Sequence, residues 1–404
     1  MNDNLNTQNL QQNNQNLGND SLPVEQKFDN GVRQIQNTDQ MASNNMNVQN
    51  LVPKEMGLFD ILKQAILQEA SDIHLSSGYR AILRVDGKLK TLFSQVLTSD
   101  QIRNFVIEIL GNKRVNLDTI EQLDLSYEFQ QNRFRVNIFK ELGEFSVVMR
   151  LIPKTIQTIE ELDLPDSLKQ ITNLSQGLVL VTGPTGSGKS TTIASLINMI
   201  NLTQPRHIIT LEDPVEYIFP KGMGLVDQRE FGIDFSKWTD AIRSTLRQDP
   251  DVVLVGEMRD FETIASTITL AETGHLVFAT LHTNSSAQAV DRIIDVFPSS
   301  QQTQIRAQLA NVIEAVVSQR LVPIQGGGRK PAVEILFATS AVRNAIREAK
   351  THQIDNLIQT SQNLGMMTME QSLVNMVRRG YISVEQAERI SLKPDQIKLL
   401  LQSS

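Results

Sequence analysis

Apolar residues recur along this chain at two spacings, and the changes between them mark out its parts. Over residues 57–70, Leu58, Ile61, Leu62, Ala65 and Ile66 fall three or four apart, the stripe of an amphipathic helix. Short strand patterns follow at 72–75 and 81–85, with Asp86-Gly87 as a tight hairpin signal. Residues 99–110 return to helical spacing and stop at Gly111. Three further strands are expected at 125–129, 134–139 and 145–151. Residues 53–152 therefore read as a small α+β domain. Residues 153–170 carry Pro153 and Pro165 and read as an interdomain linker and hinge, with Ile156 and Leu162 available to pin it to a neighbour.

From 171 to 338 the pattern alternates. Strands are expected at 178–181, 207–211, 224–228, 252–255, 276–281, 320–323 and 333–337. Helices fall between several of them, at 191–200, 236–247, 261–271 and 287–295. Such alternation predicts a largely parallel sheet covered by helices. Gly326-Gly-Gly-Arg329 reads as a hairpin loop. From 339 to 404 the chain reads as a helical region, with helices at 341–348, 352–360, 367–378 and 384–390.

Composition changes this picture at one end. Of the first 50 residues, 23 are Asn or Gln. Residues 1–52 hold too few large apolar side chains to offset their ordering entropy and read as a disordered tail. The remaining length suits two to three domains at roughly 150 residues each. The net charge of −7 argues against nucleic-acid binding as the main task, which leaves a basic footprint. The chain has no cysteine, so disulfides and cysteine-ligated zinc are excluded, as suits a reducing compartment. No apolar run approaches the ~20 residues that span a bilayer, and no signal peptide is evident. Membrane contact is expected only through a partner.

The chemistry concentrates in the alternating region. An apolar strand at 178–181 leads into Gly183-Pro184-Thr185-Gly186-Ser187-Gly188-Lys189-Ser190-Thr191 and then a helix. This is the P-loop spacing in its proper context. Glycines let backbone N–H groups approach phosphate oxygens without a Cβ in the way, and the helix N-terminus favours the anion. Lys189 supplies a mobile charge for the β and γ phosphates, and the Ser190 hydroxyl can ligate Mg²⁺. The expected ligands are a nucleotide's phosphates and Mg²⁺; ATP in particular is what the resemblance given below implies.

Three other stretches bear on that loop. Asp251-Val-Val-Leu-Val-Gly-Glu257 is a strand ending in an acid, where Glu257 could polarise a water for in-line attack. Leu211-Glu212-Asp213-Pro214-Val215-Glu216 sets three carboxylates at a strand end, the ligand side of an open α/β sheet. They read either as Mg²⁺ or water-positioning groups or as a solvated acidic turn. His275 and His282 bracket one strand and point to opposite faces. His282 reads as a γ-phosphate sensor or as a satisfied structural histidine. Arg133, Arg135 and Arg150 read as exposed charges on a half-buried sheet or as donors to a neighbouring subunit's nucleotide.

Together these stretches resemble the secretion-superfamily hexameric ATPases, most closely their type IV pilus retraction branch, over residues 57–390. Residues 183–190 look like Walker A, and 209–216 match the Asp box. Residues 249–260 match an atypical Walker B ending in Glu, and 273–283 resemble the His box. Residues 70–75 and 133–137 are similar to the N-domain signatures. The resemblance implies a PAS-like domain joined flexibly to a RecA-like ATPase core in a homohexamer. It implies Glu257 as the main catalytic acid with Glu212 in support, metal ligation by Ser190, Glu257 and Asp213, and Arg135, Arg150 and Arg133 entering the site on domain closure. It implies a cytoplasmic motor that turns an inner-membrane pilus platform protein. Ala341-Val-Arg-Asn-Ala-Ile346-Arg347-Glu348 and Leu364-Gly-Met resemble the retraction branch. Val342 and Ala345 depart from its pattern, and the Asn/Gln-rich tail has no counterpart in it. The alternatives are a pilus-assembly or secretion ATPase, a regulator that binds ATP without turnover, and a DNA translocase.

Overall fold

Alternating apolar and polar positions build the first sheet. In β5 (Asn132–Glu141), Phe134, Val136 and Ile138 are buried while Arg133 and Arg135 take the other face. The sheet contains β1 (Asp72–Ser76), β2 (Arg80–Val85), β3 (Lys88–Val96), β4 (Gln122–Phe129), β5 and β6 (Glu144–Ile152), in the order β3-β2-β1-β6-β5-β4. Every pairing is antiparallel. Two helices, Leu58–Leu67 and Ser99–Leu110, bury Leu58, Ile61, Leu62, Ile102 and Val106 against Ile73, Leu83, Val147 and Met149. The second begins with a capping box. Gln101 N donates to Thr98 Oγ1 (3.2 Å) and Thr98 N to Gln101 Oε1 (3.0 Å). The computed structural model describes residues 57–402 except 86, 112–114 and 153. The expected tail over 1–52, the turn residue Asp86 and the linker residue Pro153 lie outside the described residues.

The second sheet contains β7 (Gly177–Thr182), β8 (His207–Glu212), β9 (Leu225–Glu230), β10 (Val252–Val255), β11 (Leu276–Leu281), β12 (Ile313–Pro323) and β13 (Arg329–Phe337). Its order is β13-β12-β7-β11-β10-β8-β9. All neighbours are parallel except the β12–β13 hairpin. The central β7, β10 and β11 are buried at every position, as strands covered on both faces must be. Their register aligns the carboxyl ends. Thr182 pairs with Leu281, and Val255 lies between Leu211 and Ala279. The P-loop, Glu212, Glu257 and His282 thus emerge along one edge. The fold is α/β with a mainly parallel sheet, preceded by an α+β sheet and followed by the helices Ser340–Arg347, Ile354–Thr360, Met369–Arg378, Val384–Ile390 and Pro394–Gln402.

Several elements differ from the pattern reading. The edge strand β3 buries none of its residues fully, so it carries no apolar alternation to find. The helix Ser299–Val312 opens on Ser-Ser-Gln-Gln-Thr-Gln and buries only Ile305, Leu309, Ala310 and Val312. It runs directly into β12 at Ile313, seven residues before the expected start at 320. No glycine or proline marks that junction, and periodicity alone cannot separate a helix from a strand there. The final helix, Pro394–Gln402, was not expected.

The linker is pinned chiefly by Ile159, Leu164 and Leu168, buried with Val179, Val181 and Ile197. Ile156 is only half-buried, and Leu162 packs at the cluster's margin. Asp163 also accepts Lys330 Nζ (2.9 Å) and Arg379 Nη1 (2.6 Å). Among the described residues, no helix is long and apolar enough to cross a membrane.

Candidate nucleotide site

The loop after β7 explains its own glycines. Gly183 has φ +145°, and a Cβ there would lie 2.2 Å from Gln319 O. Gly188 has φ +89°, and its Cβ would meet Gln319 Nε2 at 2.7 Å. Gln319, on β12, braces the loop from behind. Its Nε2 donates to Ser187 O (2.8 Å), and its Oε1 accepts Thr192 Oγ1 (2.7 Å). Neither contact is visible as a motif, because Gln319 is 132 residues from Ser187 in sequence. Lys189 Nζ donates to the loop carbonyls of Gly183 (2.7 Å) and Pro184 (3.2 Å). Burial pulls its pKa below the ordinary lysine value, while Glu257 and Glu216 act the other way. Ser190 is exposed at the first helical turn, and Thr191 Oγ1 lies 2.9 Å from Tyr217 Oη. Pro184, Thr185 and Gly186 form an exposed crest. It borders a cleft of about 330 Å³ also lined by Asn284, Arg320 and Leu321.

Glu257 follows β10 and faces this loop's lysine electrostatically. Its Oε1 lies 3.0 Å from His282 Nε2, and its Oε2 is 2.7 Å from Arg259 Nη2. Burial raises its pKa, but Arg259 and then His282 outweigh burial and hold it below the ordinary glutamate value. Glu257 is therefore ionised throughout the neutral range. Arg259 was not singled out from sequence; its place two residues beyond the acid is the one signal for it. Beside His282, Thr283 Oγ1 is buried with no hydrogen-bond partner, as is Ser187 Oγ inside the loop. His275 turns elsewhere, its Nδ1 lying 3.0 Å from Thr273 Oγ1.

The carboxylates of the 212–216 turn separate. Glu212 bonds within the sheet, accepting Thr210 Oγ1 (2.7 Å) and Gln228 Nε2 (3.2 Å). Burial raises its pKa to about 7 against those two bonds. Burial also raises Asp213, with Arg259 opposing. Glu216 accepts Arg135 Nη1 (3.1 Å) and is the member of the turn whose charge acts on Lys189. The three arginines take three partners. Arg135 meets Glu216, Arg150 Nε donates to Asp72 Oδ1 (2.8 Å) in its own sheet, and Arg133 Nη2 donates to Glu230 Oε2 (3.0 Å).

Among the described residues, no three His, Asp or Glu side chains gather into a metal cage. The donor chemistry still suits Mg²⁺ at a P-loop. There it takes one hydroxyl, phosphate oxygens and waters rather than an all-protein shell. The exposed Ser190 hydroxyl is of the type such an ion takes.

The C-terminal stretch resembling the retraction branch forms the helix Ser340–Arg347. It buries Val342, Ala345 and Ile346 and exposes Ala341, Arg347 and Glu348. Val342 and Ala345, the two departures from the pattern, are thus inward-facing. Arg347 Nη1 donates to Asn344 Oδ1 (2.7 Å).

Residues 47–326 match the model of the type II/IV secretion system protein family. The chain is 42% identical over 342 residues to the type IV pilus retractation ATPase PilT of Pseudomonas aeruginosa, covering 84% of this chain and 99% of that one. It is 44% identical over 333 residues to the twitching motility protein of Neisseria gonorrhoeae, covering 80% and 89%. A crystal structure of the pilus retraction motor PilT with bound ADP superposes with TM-score 0.79 at 42% identity, over 85% of this chain and all of that one. The chain belongs to the type II/IV secretion system protein family.

Proposed function

We propose that this chain is an ATP-hydrolysing motor that powers type IV pilus retraction and twitching motility. It would act as a cytoplasmic homohexamer against the inner-membrane pilus platform protein. One observation carries the reading: Glu257, ionised and held by His282 and Arg259, stands at the same sheet edge as a complete P-loop. Overlap with a retraction ATPase along nearly that protein's whole length supports it.

Backbone N–H groups of residues 185–191 receive the phosphates, and Lys189 exchanges its two carbonyl partners for phosphate oxygens. Ser187 Oγ and Thr283 Oγ1 bring unused hydroxyls. Glu257 orients the attacking water and takes its proton. His282 and Arg259 fix that carboxylate, and His282 reports the γ-phosphate to its strand. Ser190, with Asp213 and Glu257, would hold Mg²⁺, whose chemistry there would be to neutralise phosphate charge. Glu216 joins these groups through its influence on Lys189, while Glu212 supports the turn from inside the sheet. Arg135 and Arg150 close over nucleotide from the first domain. The division is a PAS-like domain over 53–152, a linker over 153–170, an ATPase core over 171–338 and helices beyond. The exposed Ala341, Arg347 and Glu348 edge, with Ile346 anchoring it, serves retraction.

Glu257→Gln tests this reading. Phosphate release by the purified chain should fall about 10²-fold or more, as loss of a general base costs, with nucleotide binding kept. At the native locus the substitution should leave cells with excess surface pili and no twitching. Bare cells would instead identify an assembly motor, and wild-type turnover no higher than that of a Lys189→Ala control would sink both motor readings.

A further inference from the structure

Outside the nucleotide loop, one buried carboxylate of the second sheet draws its partners from the first sheet and from the turn after β8. Glu230 ends β9 and is 3% exposed. Its Oε1 accepts Ser126 N (3.2 Å) and Ser126 Oγ (3.0 Å). Its Oε2 accepts Ser126 Oγ (2.7 Å), Val215 N (3.1 Å) and Arg133 Nη2 (3.0 Å). Ser126 and Arg133 lie on β4 and β5 of the first sheet, whereas Glu230 ends β9 of the second and Val215 lies in the turn that follows β8. Arg133 Nε donates in addition to Val215 O (2.9 Å). Both polar groups of the Val215 backbone are therefore held, its N–H by the anion of the pair and its C=O by the cation.

Val215 sits between Pro214 and Glu216, two residues after Asp213. A carboxylate buried this deeply needs its donors, because an uncompensated charge in the interior is strongly unfavourable. Apolar side chains would join two domains without that demand, so the ion pair brings a geometric requirement that packing would not. Two residues along β5, and so on the same face, Arg135 bonds Glu216 at 3.1 Å. Two neighbouring arginines of the first domain thus grip one turn of the second.

We propose that Arg133 and Glu230 form a latch that positions the 213–216 turn according to where the first domain stands. The inference rests on the motor reading above. Both are positioning residues, since neither faces the P-loop. With the first domain seated, Val215 is fixed from both sides, and Asp213 and Glu216 are aimed at the site. When that domain moves away, Arg133 leaves Glu230 and Val215 O together, and the turn loses its aim. Hydrolysis would then be tied to domain position through the backbone of one residue, Val215.

The test uses the full chain. Having no cysteine, it accepts Lys90→Cys and Glu262→Cys, both exposed, as the sole spin-label sites on the two domains. The variants are Arg133→Met, Arg133→Lys, and Arg133→Met with Glu230→Gln. The double variant removes the unpaired buried carboxylate and so protects folding. In the double variant, kcat should fall about tenfold or more with fluorescent ATP analogue affinity within about twofold, since a ~1 Å misplacement costs up to ~10²-fold. The interdomain distance distribution by pulsed electron resonance should widen. Arg133→Lys, able to pair with Glu230 but not also to reach Val215 O, should keep a narrow distribution and recover only part of kcat.

An unchanged kcat in the double variant would overturn the latch, whatever the distances do. A raised KM at unchanged kcat would do so as well, by making Arg133 a substrate contact. Should the wild type release no phosphate above Glu257→Gln, the motor reading fails. The distance distributions would then still decide whether the pair holds the domains.

Discussion

Glu212 and Glu257 begin as equivalent acids at neighbouring strand ends, and their surroundings drive them apart. Glu257 is held ionised by Arg259 and His282, whereas Glu212 keeps its proton up to about pH 7. Between the unfolded value near 4.5 and about 7, folded Glu212 binds more protons than the unfolded chain, so its contribution falls as pH rises through that window. Glu212→Gln should therefore gain stability relative to wild type between pH 5 and pH 8, by at most about 3 kcal/mol at ~1.4 kcal/mol per pKa unit. Denaturant midpoints at the two pH values measure it; parallel midpoints would show that Glu212 is not buried as a neutral acid. The sequence announced the acids but could not rank them. Three carboxylates in six residues look alike as letters. What separates them is Thr210 and Gln228 around one and Arg135 against another, and two of these three partners come from other strands.

At the scale of elements, the P-loop was the most legible part, because its constraints are local. Its glycines are nevertheless unequal. A Cβ on Gly183 meets backbone at 2.2 Å, whereas Gly186, with φ +77°, faces open space. Gly186→Ala should cost only the left-handed backbone penalty of about 1–2 kcal/mol. Gly183→Ala should cost clearly more and abolish nucleotide binding, because Gln319 O belongs to a buried strand that cannot yield. Gln319→Leu should destabilise by about 1–3 kcal/mol, leaving Ser187 O and Thr192 Oγ1 without their buried partner. It should weaken nucleotide binding without touching a phosphate. Thermal melts with and without ATP check all three. Helix Ser299–Val312 and edge strand β3 were illegible for a related reason. Each buries too little of itself to leave a pattern, and tertiary neighbours decide its shape.

For the whole molecule, the decisive feature is how little chain is free to bend. From Ile159 the interdomain segment is anchored by the buried Ile159, Leu164 and Leu168 and by the bonds of Asp163 to Lys330 and Arg379, and up to Ile152 it is β6. Lys154 and Thr155 are exposed within this short stretch. Limited trypsin digestion should cut after Lys154 and yield a fragment beginning at Thr155, faster in the Arg133→Met variant. Absence of that fragment would show the stretch to be rigid. The same anchoring sets a stroke length. Ile152 and Ile159 are seven residues apart, and fully extended chain spans about 25 Å over that distance. No single subunit can carry its first domain farther than this tether from its own ATPase core. Any longer travel along a fibre has to be added up from the turns of several subunits, or from repeated short strokes by one.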